Sequence, residues 1–463
     1  MTCDTSISVV RPAPPRFRRL KRGIVLLLML GGHVGVARWW WGYEAQRRLE
    51  KLIADAHARG EPILLEDFTQ QGNNDPDNAA VPLLQALKMF SLTGAERQVN
   101  LSFDTANNDS PSKEQTDAVA MLVEHHRAEL QLVRDARRRP HVKWEFKFPH
   151  PAFQVDLQAR PELLLGEVVA WAGLLEHLRG NDREAVEYLR DLLAYTTAVD
   201  RKVPTPSHHA MLHLLQDDLC RLVLKIPSAS LKSNSPEMRV QVEALVAAMR
   251  DERSLQEQML RAVYGARAEE LDIIKSYEDL PPYEDLPSYF FLSKKPALTF
   301  ETLRDMPQYS AAVDAARQPT WNQARQMVDL RRTRHVESHV EALLLPAVNP
   351  ARTALGPRIE REFIEITERR VAVTALALQL FKSDHDRQLP ESLEQLTPKY
   401  LPAVPSDPFR PDAGPLGYLP QRKPPAIYSV GLNMIDERGS MRPLRGSYGG
   451  RWLAQDAVFP LKP

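Results

Sequence analysis

The longest apolar run in the sequence lies close to the start of the chain. It covers residues 23–43, which are 21 positions with Arg38 as the one charged side chain, and it ends in aromatic residues between Trp39 and Tyr43. About 20 apolar residues cross the hydrocarbon core of a bilayer as a helix, and Trp and Tyr are typical of its boundaries. The pattern predicts a transmembrane helix at 23–43, and a single pass because no later window is as long and apolar.

Beyond this run, most segments repeat apolar residues every three or four positions and stop at Pro or Gly, which is the pattern of amphipathic helices. We predict a mainly α protein in which residues 44–350 form an irregular body of helical hairpins. Helices are densest over 161–276, where one of them is expected near 236–263. The exception lies between Trp144 and Phe148, where aromatic and charged residues alternate with the period of a strand.

A proline-rich loop at 277–297 interrupts the helical pattern. The sequence Tyr-Glu-Asp-Leu-Pro occurs at 277–281 and again at 283–287. A residue that precedes proline avoids the helical region, so this segment is expected to be extended. Two roles are open for it: a strip that binds a partner, and a loop packed over the neighbouring helices.

Charge is balanced over the whole chain but uneven along it. There are 60 Lys and Arg against 60 Asp and Glu, yet residues 1–22 hold six basic side chains and one acidic side chain, a net of +5. Positive charge before a membrane helix keeps that end in the cytoplasm. We therefore predict a basic cytoplasmic stub at 1–22, an anchor in the cell inner membrane, and an extracytoplasmic bulk. A signal peptide cleaved after Ala37 is the alternative.

The end of the chain, 357–463, combines a long helical pattern with a series of short motifs. The helix is expected to end near Asp384, and it is followed by Leu-Pro-Glu-Ser-Leu at 389–393, Asp-Pro-Phe at 407–409 and Tyr-Ser-Val-Gly at 428–431. In this order the motifs resemble the globular end of the type II secretion major pseudopilins. The whole chain is similar to large uncharacterised membrane-anchored proteins of planctomycetes, which join a helical body to the same ending. The resemblance implies a small α+β module at 357–463.

The resemblance also implies a cofactor, because the acidic loop of pseudopilins binds calcium. Four side chains supply the candidate oxygens: Asn433, Asp436, Glu437 and Asp456. Two positions depart from the pattern of that family. Leu28 stands where prepilins carry Glu, five residues after the leader glycine, and Met434 replaces a glycine of the turn. An ordinary loop with solvated carboxylates is the alternative to a calcium site.

Histidines near the middle of the chain give the closest match to a transition-metal pattern. His209 and His213 are four residues apart and share a helix face, while His208 lies beside them. A zinc site would need a third ligand from elsewhere, and Asp217 is the one nearby acid on that face. Surface histidines without a metal are the alternative interpretation.

The remaining motifs mainly exclude classes of protein. Asp384, His385 and Asp386 could form a base flanked by carboxylates, or cap the long helix. Two cysteines, Cys3 and Cys220, exclude a disulfide-rich scaffold and a cysteine zinc cluster, and Cys220 is expected in the core. Balanced charge argues against a dedicated nucleic-acid-binding protein. No nucleophile elbow, phosphate-binding glycine loop or dinucleotide fingerprint occurs.

Three functional hypotheses follow from these patterns. The leading one is a non-enzymatic scaffold or interaction protein of the cell envelope, with the lipid bilayer and envelope proteins as its partners. The second is a secretion-linked relative of the pseudopilins. The third is an extracytoplasmic hydrolase whose reactive groups are brought together only by folding, since such groups need not be neighbours in sequence.

Overall fold

The computed structural model describes residues 16–72, 75–102, 111–149, 160–225, 236–275, 294–328, 355–445 and 450–461. Over these ranges the protein is mainly helical, with a small antiparallel sheet near the C-terminus, which confirms the coarse prediction. The helices of these ranges are α1 (Arg16–Ala58), α2 (Ala80–Met89), α3 (Gly94–Ser102), α4 (Lys113–His125), α5 (Arg127–Arg137), α6 (Arg160–Leu178), α7 (Asp182–Asp200), α8 (Pro206–Lys225), α9 (Pro236–Arg250), α10 (Arg253–Lys275), α11 (Lys294–Ala316), α12 (Trp321–Met327) and α13 (Leu355–Asp384).

Helix α1 contains the predicted membrane segment, and it is the one described helix long and apolar enough to cross a bilayer. The sequence suggested a span at 23–43 and a separate body beginning at residue 44, but α1 continues unbroken to Ala58. Ion pairs from Glu44 to Arg47 and Arg48, both at 2.8 Å, lie directly after the predicted span and favour helix there. The apolar first half is exposed, whereas Ala56 near the end is fully buried against the body.

The helical body is built around two antiparallel neighbours, α6 and α7, on which α8 packs. Gly180 joins the first two helices in a left-handed conformation, with φ +78°. The dense helical pattern over 161–276 is confirmed wherever the structure describes it. The single helix expected at 236–263 is wrong, because the chain breaks at Asp251 and Glu252 between α9 and α10.

Two other local expectations differ from the structure. Residues Trp144 to Phe148 form no regular strand; one isolated bridge joins Phe146 to Gln70, while Trp144, Phe146 and Phe148 are all buried. Their alternation therefore reflects one-sided burial rather than sheet pairing. The proline-rich loop expected at 277–297 lies outside the described residues up to 293, and its last residues, 294–297, belong to α11.

The C-terminal sheet packs against α13 and shares its core with the helices. Strands β1 (Gly417–Leu419), β2 (Ala426–Ser429) and β3 (Ala457–Pro460) pair antiparallel in the order β1-β2-β3. Ile427 and Phe459 belong to the same apolar cluster as the core of α6, α7 and α8. Helix α13 thus runs between the helical body and the sheet, and its position brings side chains from distant parts of the chain against α8.

Candidate metal centre

Two packed helices, α8 and α13, bring histidines and carboxylates together inside the protein. On α8, His209 and His213 are one turn apart on the face that meets α13. On α13, Glu362 and Glu365 are three residues apart and reach the two rings. All four side chains are buried. Each helix therefore carries polar residues on the side that faces the protein interior.

The rings of both histidines point one nitrogen at the same carboxylate oxygen. His209 Nε2 lies 3.1 Å from Glu362 Oε2, and His213 Nε2 lies 3.6 Å from it. The opposite nitrogen, Nδ1, faces a different acid in each case. For His209 it is 2.9 Å from both oxygens of Asp200 at the end of α7, and for His213 it is 2.7 Å from Glu365 Oε1. Each imidazole is therefore held between two carboxyl groups.

The cluster is deeply buried, and several of its polar atoms have no aligned hydrogen bond. Relative exposure is 4% for His209, 6% for His213, 4% for Glu362 and 1% for Glu365. Both ring nitrogens of His213, Glu362 Oε1 and Glu365 Oε2 make no aligned hydrogen bond in the described part of the chain, although His213 Nδ1 lies 2.7 Å from Glu365 Oε1. A buried polar atom without a partner costs about 1–3 kcal/mol, so such a group is expected to serve a ligand or a reaction.

The pKa values of the two histidines are shifted in opposite directions. Burial opposes a charge on His209, but Asp200 and Glu362 outweigh it and raise the pKa of His209 well above its usual range. Burial and the neighbouring charge of His209 lower the pKa of His213 to about 3. Burial and Glu362 raise the pKa of Glu365 well above its usual range. His213 is therefore neutral at physiological pH, the form in which imidazole binds metals, whereas His209 carries a proton that a bound metal ion would displace.

The polar cluster continues along the two helices toward the C-terminal sheet. Asp217, one turn beyond His213, pairs with Arg361 of α13, which also lies 3.2 Å from Glu365. Glu368 accepts a 2.7 Å hydrogen bond from the indole of Trp452, and burial together with Asp217 raises its pKa to about 8. Carboxyl groups outnumber the cations here, and the excess is balanced by bound protons, which a divalent cation would displace.

A cavity of about 210 Å³ opens on the edges of His209 and His213. Its wall is otherwise mostly apolar, with Met259 and Val263 of α10 among its residues, and the guanidinium-bearing side chains of Arg358 and Arg361 at its border. Glu362 lies on the other side of the cluster and lines a second cavity of about 480 Å³. The histidines are therefore buried without being sealed from small molecules.

The donor set fits a transition-metal ion. One ligand atom each of His209, His213 and Glu362 lies within 4.8 Å of the other two. Ligands about 2.0–2.1 Å from tetrahedral zinc stand about 3.3–3.4 Å apart. The two histidine–glutamate separations of 3.1 and 3.6 Å bracket that value. Comparisons with protein-family models, curated proteins and solved structures found no match to this chain. The site must be interpreted from its own geometry.

A second group, formed by Glu96, His125 and His126, also brings its ligand atoms within 4.8 Å of one another, but only His126 among them is buried. His125 Nδ1 is 2.5 Å from Glu96 Oε1, and the His125 ring is mostly exposed, whereas His126 beneath it is buried. Burial opposes ionisation of Glu96, but bonds from His125 and Thr93 lower its pKa to about 2. An exposed ion pair of this kind needs no metal.

The four residues suggested for calcium come together in one loop beside β3, and each is engaged within the protein. Asp456 is fully buried and accepts backbone hydrogen bonds from Gly439 and Ser440 at 2.8 Å and from Glu437 at 3.4 Å. The amide of Asn433 donates to Glu437 at 2.9 Å. These bonds order the loop without an ion, and calcium binding there stays a prediction.

Asp436, the fourth candidate, is also engaged. It accepts from Tyr428 Oη at 3.1 Å and from Arg410 at 3.0 Å. Met434, which replaces the expected turn glycine, adopts a left-handed conformation with φ +59°. The turn thus has a left-handed backbone at a residue with a side chain, which strains it there.

The remaining candidates serve the structure. Asp384 joins three partners: Arg239 at 2.6 Å, Lys399 at 2.6 Å and the hydroxyl of Tyr400 at 2.7 Å. His385 stacks on Phe381 and faces its carbonyl, so this pair closes the end of α13 rather than forming a base between carboxylates. His208 Nε2 lies 3.1 Å from the Val199 carbonyl. Cys220 is buried in α8, as the sequence suggested.

Sequence reasoning identified His209 and His213 but found only Asp217 as an acid, and it missed Asp200, Glu362 and Glu365. Asp200 ends the preceding helix, and the two glutamates lie about 150 residues further on. A signal existed in α13, where Glu362 and Glu365 stand next to the apolar residues Phe363 and Ile366, on a helix whose pattern is otherwise that of a buried element. Acids on the buried side of a helix are rare without a partner.

Proposed function

We propose that this protein is a single-pass protein of the cell inner membrane, anchored by α1, with its basic start in the cytoplasm and its body outside. The exposed apolar half of α1 and the preceding basic residues support this topology. We further propose that the body binds one divalent transition-metal ion, zinc being the best fit, through His209, His213 and Glu362. The observation that carries this proposal is the convergence of these three donors, with a carboxyl group behind each imidazole.

The carboxyl groups behind the rings are the decisive part of this geometry. Histidines that bind metals usually present their other nitrogen to a carboxylate, which fixes the orientation of the ring and makes it a better donor. Asp200 and Glu365 occupy these positions for His209 and His213. An arrangement that served only to satisfy two buried histidines would not need both rings to converge on a single glutamate oxygen.

Two histidines and one glutamate leave room for a substrate or water at a fourth position, as in zinc hydrolases. A zinc ion with three such ligands lowers the pKa of the water in its fourth position to about 7, or polarises a carbonyl or phosphoryl group there. The residues of this chain would hold the donors in place, and the apolar cavity beside Met259 would exclude bulk water. The proposed reaction class is therefore metal-dependent hydrolysis outside the cytoplasm, with Arg358 at the border of the cavity favouring an anionic substrate group.

Metal content of the full chain in detergent tests this proposal. The chain is stripped with a chelator, equilibrated with zinc and analysed by elemental mass spectrometry, and its affinity is measured by competition with a chromophoric chelator. We expect about one zinc ion per chain, and at least a hundredfold weaker binding for His213→Gln and Glu362→Gln, since each removes a ligand. His208→Gln is the matched control, because His208 is equally buried one position away but faces the Val199 carbonyl.

The outcome that contradicts the proposal is a folded wild-type chain that takes up no zinc, or folded ligand variants that bind it as tightly as wild type. Helicity by circular dichroism shows which variants are folded. A chain that binds zinc but hydrolyses none of a panel of ester, amide and phosphoester substrates would retain the metal site and lose the hydrolase assignment.

A second candidate function is favoured by the C-terminal module. Asp407 of the Asp-Pro-Phe motif is fully buried and accepts hydrogen bonds from Ser429 Oγ and Val430 N, both at 2.8 Å. It thereby ties together two of the motifs on which the resemblance to pseudopilins rests. This supports a scaffold role in the envelope linked to secretion, or more generally the binding of envelope proteins. Co-purification with secretion components from native membranes would favour it, and consistent isolation of the chain alone would exclude it.

A further inference from the structure

A cavity of about 510 Å³, separate from the metal centre, lies where α5, α7 and α9 meet Arg369 of α13. Its volume falls within the range of small-molecule sites, which is about 300–1,000 Å³. Among its described lining residues are five arginines, Arg137, Arg139, Arg190, Arg201 and Arg369, and a single acid, Asp251. Such an excess of cations at one cavity is unusual in a chain with no net charge.

Arg369 is the most informative of these residues because it is 2% exposed. Its Nε donates to the carbonyl of Met249, and its Nη2 donates to the carbonyls of Ala248 at 3.1 Å and Asp251 at 3.2 Å, at the end of α9. Its Nη1 has no hydrogen-bond partner among the residues that the structure describes. A guanidinium stays charged even when buried, so the unmatched N–H group marks a place for an acceptor.

Two more of the arginines have no carboxylate partner in the described ranges. Arg201 Nε is buried without a hydrogen bond, and Arg139 donates only to backbone carbonyls, those of Pro76 and Asn78. Asp251 does little to offset these charges, because its carboxylate pairs with Arg253 at 2.9 Å. The unbalanced positive charge at the cavity therefore comes from Arg139, Arg201 and Arg369.

The other two arginines belong to a salt-bridge network and leave this excess intact. Arg137 pairs with Glu187 and lies 3.1 Å from Asp191, and Arg190 pairs with Glu187 at 2.7 Å. Part of the remaining wall is apolar and comes from α2 and α5, with Leu83 and Val133 as examples. The cavity thus combines a cationic side with an apolar side.

We infer that this cavity binds a ligand with a phosphate monoester group, which Arg139, Arg201 and Arg369 hold while the apolar wall contacts the organic part. Arginine presents several N–H groups in a plane and matches phosphate oxygens in pairs. A doubly charged phosphate balances more of the excess charge than a carboxylate does. The same group occurs on soluble molecules and on lipid head groups, and the cavity geometry applies to both.

Calorimetry with the full chain in detergent tests the inference. The probes are phenyl phosphate, inorganic phosphate and benzoate, together with nanodiscs that contain phosphatidic acid. We expect phenyl phosphate or phosphatidic acid to bind, and benzoate to bind at least tenfold more weakly. Whichever phosphate probe binds identifies the source of the group, soluble or lipid. Absence of binding by every phosphate probe, or equal binding of benzoate, overturns the inference.

Variants separate this site from a general effect of charge. Arg201→Gln and Arg139→Gln should each weaken phosphate binding about tenfold or more, as expected for loss of a charge-assisted hydrogen bond. Arg183→Gln is the matched control, since Arg183 is exposed and pairs with Glu237 on the surface. Wild-type affinity in both cavity variants contradicts the proposal. Zinc content of the same variants should stay at the wild-type level, so failure of this site and failure of the metal centre are distinguishable.

Discussion

Two regions of the molecule are rich in carboxylates, and they differ in what those carboxylates bind. In the loop beside β3, Asp436 and Asp456 accept hydrogen bonds from backbone amides, a tyrosine and an arginine. In the centre between α8 and α13, one oxygen of Glu362 and one of Glu365 have no aligned partner among the described residues. The comparison separates carboxylates that the protein itself satisfies from buried ligand atoms that it leaves unmatched, and the metal proposal rests on the second kind.

The two regions also differ in how their donors are assembled. The loop draws its donors from 433–456, where left-handed residues such as Arg438 and Gly439 turn backbone N–H groups toward Asp456. The metal centre draws its donors from α7, α8 and α13, which only the tertiary fold brings together. A local loop therefore orders itself, whereas the centre depends on helix packing and is available to a ligand.

The largest expected effect is structural and belongs to the loop. Asp456→Ala leaves two backbone donors without an acceptor, the buried one of Gly439 and the part-buried one of Ser440, so the free energy of unfolding should fall by roughly 3 kcal/mol. Urea unfolding of the full chain in detergent measures this loss. Asp412→Ala, an exposed acid of the same module, should cost less than about 1 kcal/mol. Zinc uptake should be unchanged in folded Asp456→Ala, and its loss would contradict the independence of the two regions.

The next effect concerns the metal centre and its supporting carboxylate. Asp200→Asn keeps all three proposed ligands but removes the negative charge behind His209, so zinc affinity should fall about tenfold to a hundredfold. Competition with a chromophoric chelator measures this change. Asp182→Asn is the matched control, because Asp182 lies 2.6 Å from His177 in a carboxylate–histidine pair outside the cluster. Equal losses in both variants would show that Asp200 acts through folding rather than through the metal.

Asp200 also illustrates what the sequence can and cannot predict here. The helices and the long apolar helix near the start follow from local periodicity and composition, whereas the small C-terminal sheet was expected only from the resemblance; the structure confirms these elements in outline. His209 and His213 share a face because four residues make about one turn, so that half of the site is predictable. The position of Asp200 and of the acids on α13 depends on which helices pack together, and one sequence does not contain that information.

Helix boundaries were predictable only where proline or glycine marks them. Gly180 marks the turn between α6 and α7, whereas no proline or glycine marks the break between α9 and α10 at 251–252. Conversely, Pro307 lies inside α11 without ending it. Tertiary packing overrides local preference at these positions, so the topology around the metal centre could not be derived from propensities alone.

The electrostatics of the buried region can be tested through the dependence of stability on pH. Burial and Asp217 raise the pKa of Glu368 to about 8, so the folded state binds this proton between about pH 4.5 and 8 while the unfolded state releases it. The associated stability is present below pH 4.5 and is lost as pH rises toward 8. Glu368→Gln keeps the oxygen that accepts from Trp452 and should flatten this decline, by up to about 1.4 kcal/mol per pH unit. Parallel pH profiles of unfolding for wild type and variant would contradict the buried-acid assignment.

The smallest effect has the opposite sign of pH dependence and belongs to the loop. Burial opposes ionisation of Asp436, but bonds from Arg438 N–H, Tyr428 and Arg410 outweigh it and lower its pKa. This stabilisation is present above the unfolded pKa of about 3.9 and is lost at lower pH. Asp436→Asn should cost less than about 1 kcal/mol at pH 7, because the pair with Arg410 is partly exposed, and progressively less as pH falls below about 3.9.

The unfolding of wild type and Asp436→Asn is also measured in excess calcium. If the loop orders itself through its own hydrogen bonds, calcium shifts the unfolding midpoint of wild type and Asp436→Asn equally. A shift confined to wild type would show that calcium displaces Arg410 from Asp436, which would confirm the calcium prediction. The contrast between the two regions would then lie in which cation each one selects, since calcium takes six to eight hard oxygen ligands and zinc prefers imidazole.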